Sequence, residues 1–283
     1  MLDSSIISAG IDYISATMAY GENGAIEWYL GCGKVIEQIA REGNELQHTR
    51  RNGYEGLSTG GSFVGEGLQG YFCTISGERA QTGFTDVYRY NPHVSRLDVQ
   101  CTIRDVSEDR SRAIAARNAV AQANKRLGAA SQRNATLIED LKGGATCYVC
   151  SKKSEQFARI YNKDAESGEE RYKNAWRYEV QLKNNLATMT AEMFRLSEYA
   201  QPVQAAVFVR QWLRKRGVSV PWKAEAELHA LPSEKNNPSD VEARLRWLRE
   251  QVAPSLRRLL KLGLRDSILE ALGLDETNGG DVK

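Results

Sequence analysis

GGATCYVCSKKSEQFARIYNKDAESGEERYKNAWRYEVQLK, residues 143–183, alternates polar and apolar side chains with period two in three short runs joined by polar turns. That period belongs to strands, whose successive side chains point to opposite faces, so three strands are expected here. In FARIYNK, Arg159, Tyr161 and Lys163 share one face and Ala158 and Ile160 the other. In AWRYEVQLK, Arg177, Glu179, Gln181 and Lys183 oppose Trp176, Tyr178, Val180 and Leu182. The apolar face can bury against helices. The polar face holds a phenol between two cations with a carboxylate one strand away, a set suited to attack on a phosphodiester, since cations favour both a phenolate and the charge of a phosphoryl transition state. The same alternation also suits an edge strand whose Arg, Tyr and Lys face water.

An arrangement of the same kind lies upstream. In RLDVQCTI, residues 96–103, Arg96, Asp98, Gln100 and Thr102 share a face. Both strands therefore read Arg-x-acid-x-Gln, which suggests two related halves, about 10–105 and 143–200, joined by a helix. If the strands meet, Asp98 and Glu179 could hold a divalent cation, and all-oxygen ligation favours Mg2+ or Mn2+. Taken singly, each Arg and acid would read as an ordinary cross-strand pair.

The other elements follow outward. GIDYISATM (10–18) reads as a strand with Asp12 on the side of Ile14 and Ala16, and residues 23–43 as an amphipathic helix with Ile26, Leu30, Val35, Ile36 and Ile39 inward. Residues 52–103 form a strand-rich block with turns at its glycine pairs and at Asn91-Pro92. The segment 107–144, capped at Ser107 and interrupted near Gly128, reads as the linking helix, and 184–200 as a helix with a Leu186, Met189, Met193, Leu196 stripe. The expected class is α+β: two related antiparallel-sheet halves with packing helices in a catalytic domain over 1–201, then a basic helical region over 202–274. In that region Ser239 and Glu242 have capping-box spacing, Val241, Leu245, Leu248 and Val252 make an apolar face, and Pro254 bends the helix. A disordered tail over 275–283 is expected to follow.

The chain of 283 residues carries a net charge of only +2, yet residues 210–265 hold thirteen Lys or Arg against six Asp or Glu. A basic helical region beside a mildly acidic body fits a phosphate-backbone footprint, and equally a solvated helix surface. The expected DNA contacts are Lys152, Lys153, Arg177, Arg214, Lys215 and Arg216. No apolar run reaches the ~18 residues of a membrane span, and no leader pattern opens the chain, so a cytoplasmic protein with no membrane partner is expected. Five cysteines fit a reducing compartment. Cys147 and Cys150 lack a second pair for zinc and read as small apolar strand residues. The histidines, His48, His93 and His229, form no metal pair, and no phosphate loop or dinucleotide motif is present, so no nucleotide cofactor is expected.

RIYNKD followed by WRYEVQLK, with CYVCSKKS before and SRLDVQCTI further upstream, resembles the replication initiation factor family, the trans-acting initiators of rolling-circle plasmids, with related phage initiators and relaxases. The resemblance covers about residues 10–200 and extends loosely to the C-terminal WLREQVAPSLRRLL and ILEALGL. It implies a DNA nicking and joining enzyme acting through a 5′-phosphotyrosine, with Tyr161 the nucleophile, Lys163 and Arg159 beside it, and Asp98, Glu179 and Gln100 as ligands for Mg2+ or Mn2+. The implied partners are single-stranded or hairpin origin DNA, a host helicase and a second copy of the chain, within a bacterial cell. Two departures stand out: Cys150 where the family commonly has glycine, and no second acid near Thr102. Tyr148, Tyr172 and Tyr178 are rival tyrosines; Tyr178 shares the apolar face, and Tyr172 ranks second. The rival functions are a non-catalytic DNA-binding regulator and a metal nuclease that cuts with water.

Overall fold

The computed structural model describes residues 3–105, 111–125, 133–139, 144–224, 260 and 263–265. The chain divides into two compact units, Met1–Pro232 and Ser233–Lys283. In the first, ten strands form one antiparallel sheet: β1 (Ile6–Ala19), β2 (Gln47–Arg51), β3 (Tyr54–Thr59), β4 (Ser62–Gly67), β5 (Gly70–Ser76), β6 (His93–Arg104), β7 (Ala135–Glu139), β8 (Ala145–Val149), β9 (Gln156–Asn162) and β10 (Ala175–Lys183), in the order β2-β3-β4-β5-β1-β6-β10-β9-β8-β7. Among the described residues six α-helices accompany them: α1 (Ala25–Arg41), α2 (Glu78–Tyr88), α3 (Ser111–Asn124), α4 (Lys163–Ser167), α5 (Asn184–Leu196) and α6 (Gln201–Arg214). The class is α+β, and the two halves are one continuous sheet joined edge to edge at β6 and β10.

That seam explains the repeated motif. Val99 pairs with Val180 in an antiparallel ladder, so a local two-fold axis through this pair carries Arg96, Asp98 and Gln100 onto Arg177, Glu179 and Gln181. The apolar faces of these strands, with Leu97, Val99, Cys101, Ile103, Trp176, Tyr178, Val180 and Leu182, join Ile11, Ile14 and Ile160 in a single core. Into that core α1, α2, α3, α5 and α6 bury Trp28, Phe84, Val120, Phe194 and Phe208 respectively. Among the described residues, the short α4 packs beside β10 together with the 3-10 turn Glu170–Tyr172.

Several expectations shift. In α1 the buried stripe is Trp28, Cys32, Ile36 and Ile39, while Ile26 and Leu30 are exposed: the largest ring sets the phase of the helix. In α5 it is Leu186, Ala187, Thr190, Ala191 and Phe194, with Leu196 exposed. Residues 78–88 form α2 rather than strand, because Ala80, Phe84 and Val87 recur at helical spacing and core burial overrides the β-propensity of their neighbours. Residues 135–139, expected at the end of the linking helix, form β7 and pair with β8. α6 packs on β1, β6 and β10, so the first unit continues past residue 201. No helix among the described residues is long and apolar enough to cross a membrane.

In the second unit Leu260 is helical and Gly263 turns with φ 78°. The features expected at Ser107, Gly128, His229, Ser239, Glu242, the 241–252 apolar face, Pro254 and the 275–283 tail lie outside the described residues.

Candidate active site

The seam places three rows of polar side chains across the sheet. Tyr148, Arg159, Glu179 and Gln100 are successive cross-strand partners from β8 to β6, and Thr146, Tyr161, Arg177 and Thr102 form the next row. On the other side run Phe157, Gln181, Asp98 and Tyr13. Asp98 and Glu179 are therefore diagonal neighbours on adjacent strands, close enough for side chains to interact.

Both carboxylates are almost inaccessible, with side chains 2% and 1% exposed, beneath guanidinium groups about a third exposed. Arg96 donates to both oxygens of Asp98, at 2.9 and 2.5 Å, and its guanidinium lies 4.3 Å from the Tyr13 ring centroid. Arg159 donates to Glu179 Oε1. The hydroxyl of Tyr161 makes a long 3.5 Å contact with Glu179 Oε2. Burial raises the carboxyl groups of Asp98 and Glu179 above the ordinary carboxylate range; Asp98 raises Glu179 further, while Arg96 opposes the shift of Asp98. Burial, then Glu179, also pushes the Tyr161 phenol well up, against the pull of Arg177 and Arg159.

Arg177 is the cross-strand partner of Tyr161. It is buried, its Nε donating to Thr102 Oγ1 at 2.9 Å and its Nη1 to Asp12 Oδ1 and Oδ2 at 3.1 and 3.2 Å. Asp12 reaches this face because β1 bulges: Ile11 opposes Val99 and Tyr13 opposes Asp98, leaving Asp12 as the extra residue. Strict alternation put Asp12 with Ile14 and Ala16, so the bulge corrects that expectation. Burial raises the Asp12 carboxyl, with Arg177 opposing.

The expected residues divide. Tyr161, Arg159, Asp98, Glu179, Gln100 and Arg177 converge, but Gln100 is turned to Ser8 and Thr102, donating to the first at 3.2 Å and accepting from the second at 2.7 Å. Lys163 leaves the strand at the first turn of α4, pairs with Glu166 and lies 5.3 Å from the Tyr172 ring centroid. Tyr178 is in the core against Trp222. Tyr172 is buried under Arg171 and Arg177. Lys152, Lys153, Arg214 and Lys215 are exposed. Arg216 is spent on structure, stacking 3.4 Å from the Trp212 ring centroid and donating to Gln156 Oε1 and Trp212 O. His48 is exposed beside Glu55, and the five cysteines are free.

Among the described residues no three His, Cys, Asp or Glu side chains converge as a metal cage. Asp98 and Glu179 nevertheless suit Mg2+ or Mn2+, since Mg2+ is usually held by one or two carboxylates together with water and substrate phosphate. Each of these adjacent buried acids is paired with a guanidinium, Asp98 with Arg96 and Glu179 with Arg159, so an ion between them would add to charge already supplied. Arg159 Nε is buried without a hydrogen-bond partner.

Residues 93–272, well over half of the chain, match the family model described as replication initiation factor. Among solved structures, the chain is similar to a rolling circle replication initiator protein from Geobacillus stearothermophilus, at 16% identity over 81% of this chain and 91% of that one, with a TM-score of 0.51. At that identity the likeness bears on the fold. No curated protein matches.

Proposed function

Because this chain belongs to the replication initiation factor family, we propose that it nicks and rejoins one DNA strand by transesterification at Tyr161. One juxtaposition carries the reading: the Tyr161 hydroxyl meets Glu179 Oε2 at 3.5 Å, in a row with Arg177 and beside Arg159.

Glu179 is the nearest acceptor for the phenolic proton. Arg159 and Arg177 favour the phenolate electrostatically, and the Arg159 guanidinium, about a third exposed, is available to offset charge as it builds on a non-bridging phosphate oxygen. A divalent cation held by Asp98 and Glu179 would supply Lewis-acid polarisation of the scissile phosphate and offset the negative charge that keeps the phenol protonated. Tyr161 Oη forms the new bond to phosphorus, the bond from phosphorus to the 3′ oxygen breaks, and that oxygen takes a proton. The products are a 5′-phosphotyrosine and a free 3′-hydroxyl. Reversal reseals the strand without nucleotide hydrolysis, consistent with a sequence that has no phosphate loop. For the same reason unwinding ahead of the primer calls for a separate helicase, and a homodimer would supply a second Tyr161 for the closing transfer.

The experiment is incubation of the full-length protein with labelled supercoiled origin DNA and Mn2+, then denaturing electrophoresis. Covalent label is expected on the wild type and none on Tyr161→Phe. An adduct that persists in Tyr161→Phe removes the nucleophile, nicks without adduct indicate a water-using nuclease, and no nicks at all indicate a binding regulator.

A further inference from the structure

One strand beyond Arg159, the polar face carries an aromatic cluster that the nicking reaction does not use. Tyr148 on β8 is the cross-strand partner of Arg159 and is half-buried. Its ring lies 6.3 Å from that of Phe157, two positions before Arg159 on β9. Phe157 is buried, yet lies outside the main core and supports Tyr148 from the same side of the sheet as Arg159 and Tyr161. Two ammonium groups serve this pair. Lys152 Nζ sits 3.6 Å from the centroid of the Tyr148 ring, and Lys183 Nζ lies 5.5 Å from that of Phe157 while donating to the Lys152 carbonyl at 2.8 Å. Lys152 and Lys153 are exposed.

We propose that Tyr148, backed by Phe157 and flanked by Lys152 and Lys183, is a stacking platform for a base of the single-stranded DNA adjoining the scissile phosphate. The proposal rests on the DNA-nicking reading and adds to it a base-binding subsite. Three features carry it. The platform borders the reacting centre, since Thr146, the partner of Tyr161, is two residues from Tyr148 on the same strand and face. It pairs a π-face with ammonium charges, the combination that holds single strands without reading sequence. The ring face is also occupied in the free protein by an exposed lysine, a contact weaker than base stacking. A base therefore displaces Lys152, and the released ammonium is left beside the backbone phosphate.

The probes are a short oligothymidylate and an abasic oligodeoxynucleotide of equal length, which match in phosphate charge and differ in bases. Fluorescence anisotropy with the full-length protein at fixed ionic strength reads both. The wild type should prefer the oligothymidylate. Tyr148→Ala should weaken that binding by about 5- to 100-fold, the worth of one stacked base, and leave the abasic probe unaffected. Tyr148→Phe, which keeps the ring, should bind as the wild type, while Tyr148→Leu, which keeps the bulk, should behave as alanine. Equal affinity of the wild type for both probes, or of Tyr148→Leu and the wild type for the oligothymidylate, overturns the platform. Anisotropy requires no cleavage and can be run in a Tyr161→Phe background. A missing covalent adduct would thus refute the nicking chemistry alone, and an indifferent Tyr148 the platform alone.

Discussion

Removing the Asp12 carboxylate should unbalance the seam more than any surface change. Arg177 is 6% exposed in its side chain and Asp12 22%. With Asp12→Ala the guanidinium keeps one neutral acceptor, Thr102, and faces Glu179 as an adjacent negative charge. Stranding one partner of a buried pair costs about 3–5 kcal/mol; the partial exposure of Asp12 and the presence of Glu179 place this case near ~3 kcal/mol. For a unit of this size that corresponds to a fall in Tm of roughly 6–12 °C. Arg177→Met in the same background removes the stranded charge while keeping much of the apolar stem, so the double variant should recover most of the loss. Thermal unfolding by circular dichroism, checked against urea midpoints, closes the double-mutant cycle. A single variant melting within about 2 °C of the wild type, or two losses that simply add, would refute a buried charge network centred on Arg177.

Four further outcomes are expected. Glu179→Gln keeps an acceptor for Arg159 but removes one of two adjacent buried acids, so its Tm at neutral pH should equal or exceed that of the wild type although adduct formation is lost. The sign of the pH dependence follows from the same pair: carboxyl groups raised in the folded state bind more protons there than in the unfolded chain. Wild-type stability should therefore decline as pH rises from about 4, and Glu179→Gln should flatten that slope in melts across pH. Cys150 adopts φ 72°, the left-handed region. Cys150→Gly should accordingly raise the urea midpoint by the equivalent of up to ~1 kcal/mol, whereas the β-branched Cys150→Val lowers it. On α1, Trp28→Ala should cost about 3–5 kcal/mol and Ile26→Ser less than about 0.5, which chemical denaturation of the two variants distinguishes.

Much of this architecture could be read from period-two alternation. β9, β10 and β6 have the faces their sequences imply, and the shared Arg-x-acid-x-Gln pattern singled out Asp98 and Glu179 on the condition that their strands meet, as they do at the seam. What alternation could not show was its own interruption. The bulge at Asp12 inserts one residue into β1 and turns an expected inward acid toward Arg177. Lys163 left the face because the chain enters α4 there, with the Asn162 side chain capping the turn by accepting from the Ala165 N–H. Helix phases slipped for a related reason: in α1 and α5 several apolar residues compete for one core, and the bulky rings of Trp28 and Phe194 prevailed over Leu30 and Leu196. The left-handed turn at Cys150 gives a structural sense to a glycine at that position in the family the sequence resembles, since glycine adopts that conformation without cost.

The seam between β6 and β10 also sets when the two buried acids can act together. Asp98 leaves the ribosome long before Glu179, and ladders that close such distant stretches of chain form slowly. An incomplete polypeptide has the first acid without the second, and a chain that has not zipped its midline has both but holds them apart. Any chemistry that needs both acids, the proposed nicking included, would thus arrive only with the finished sheet.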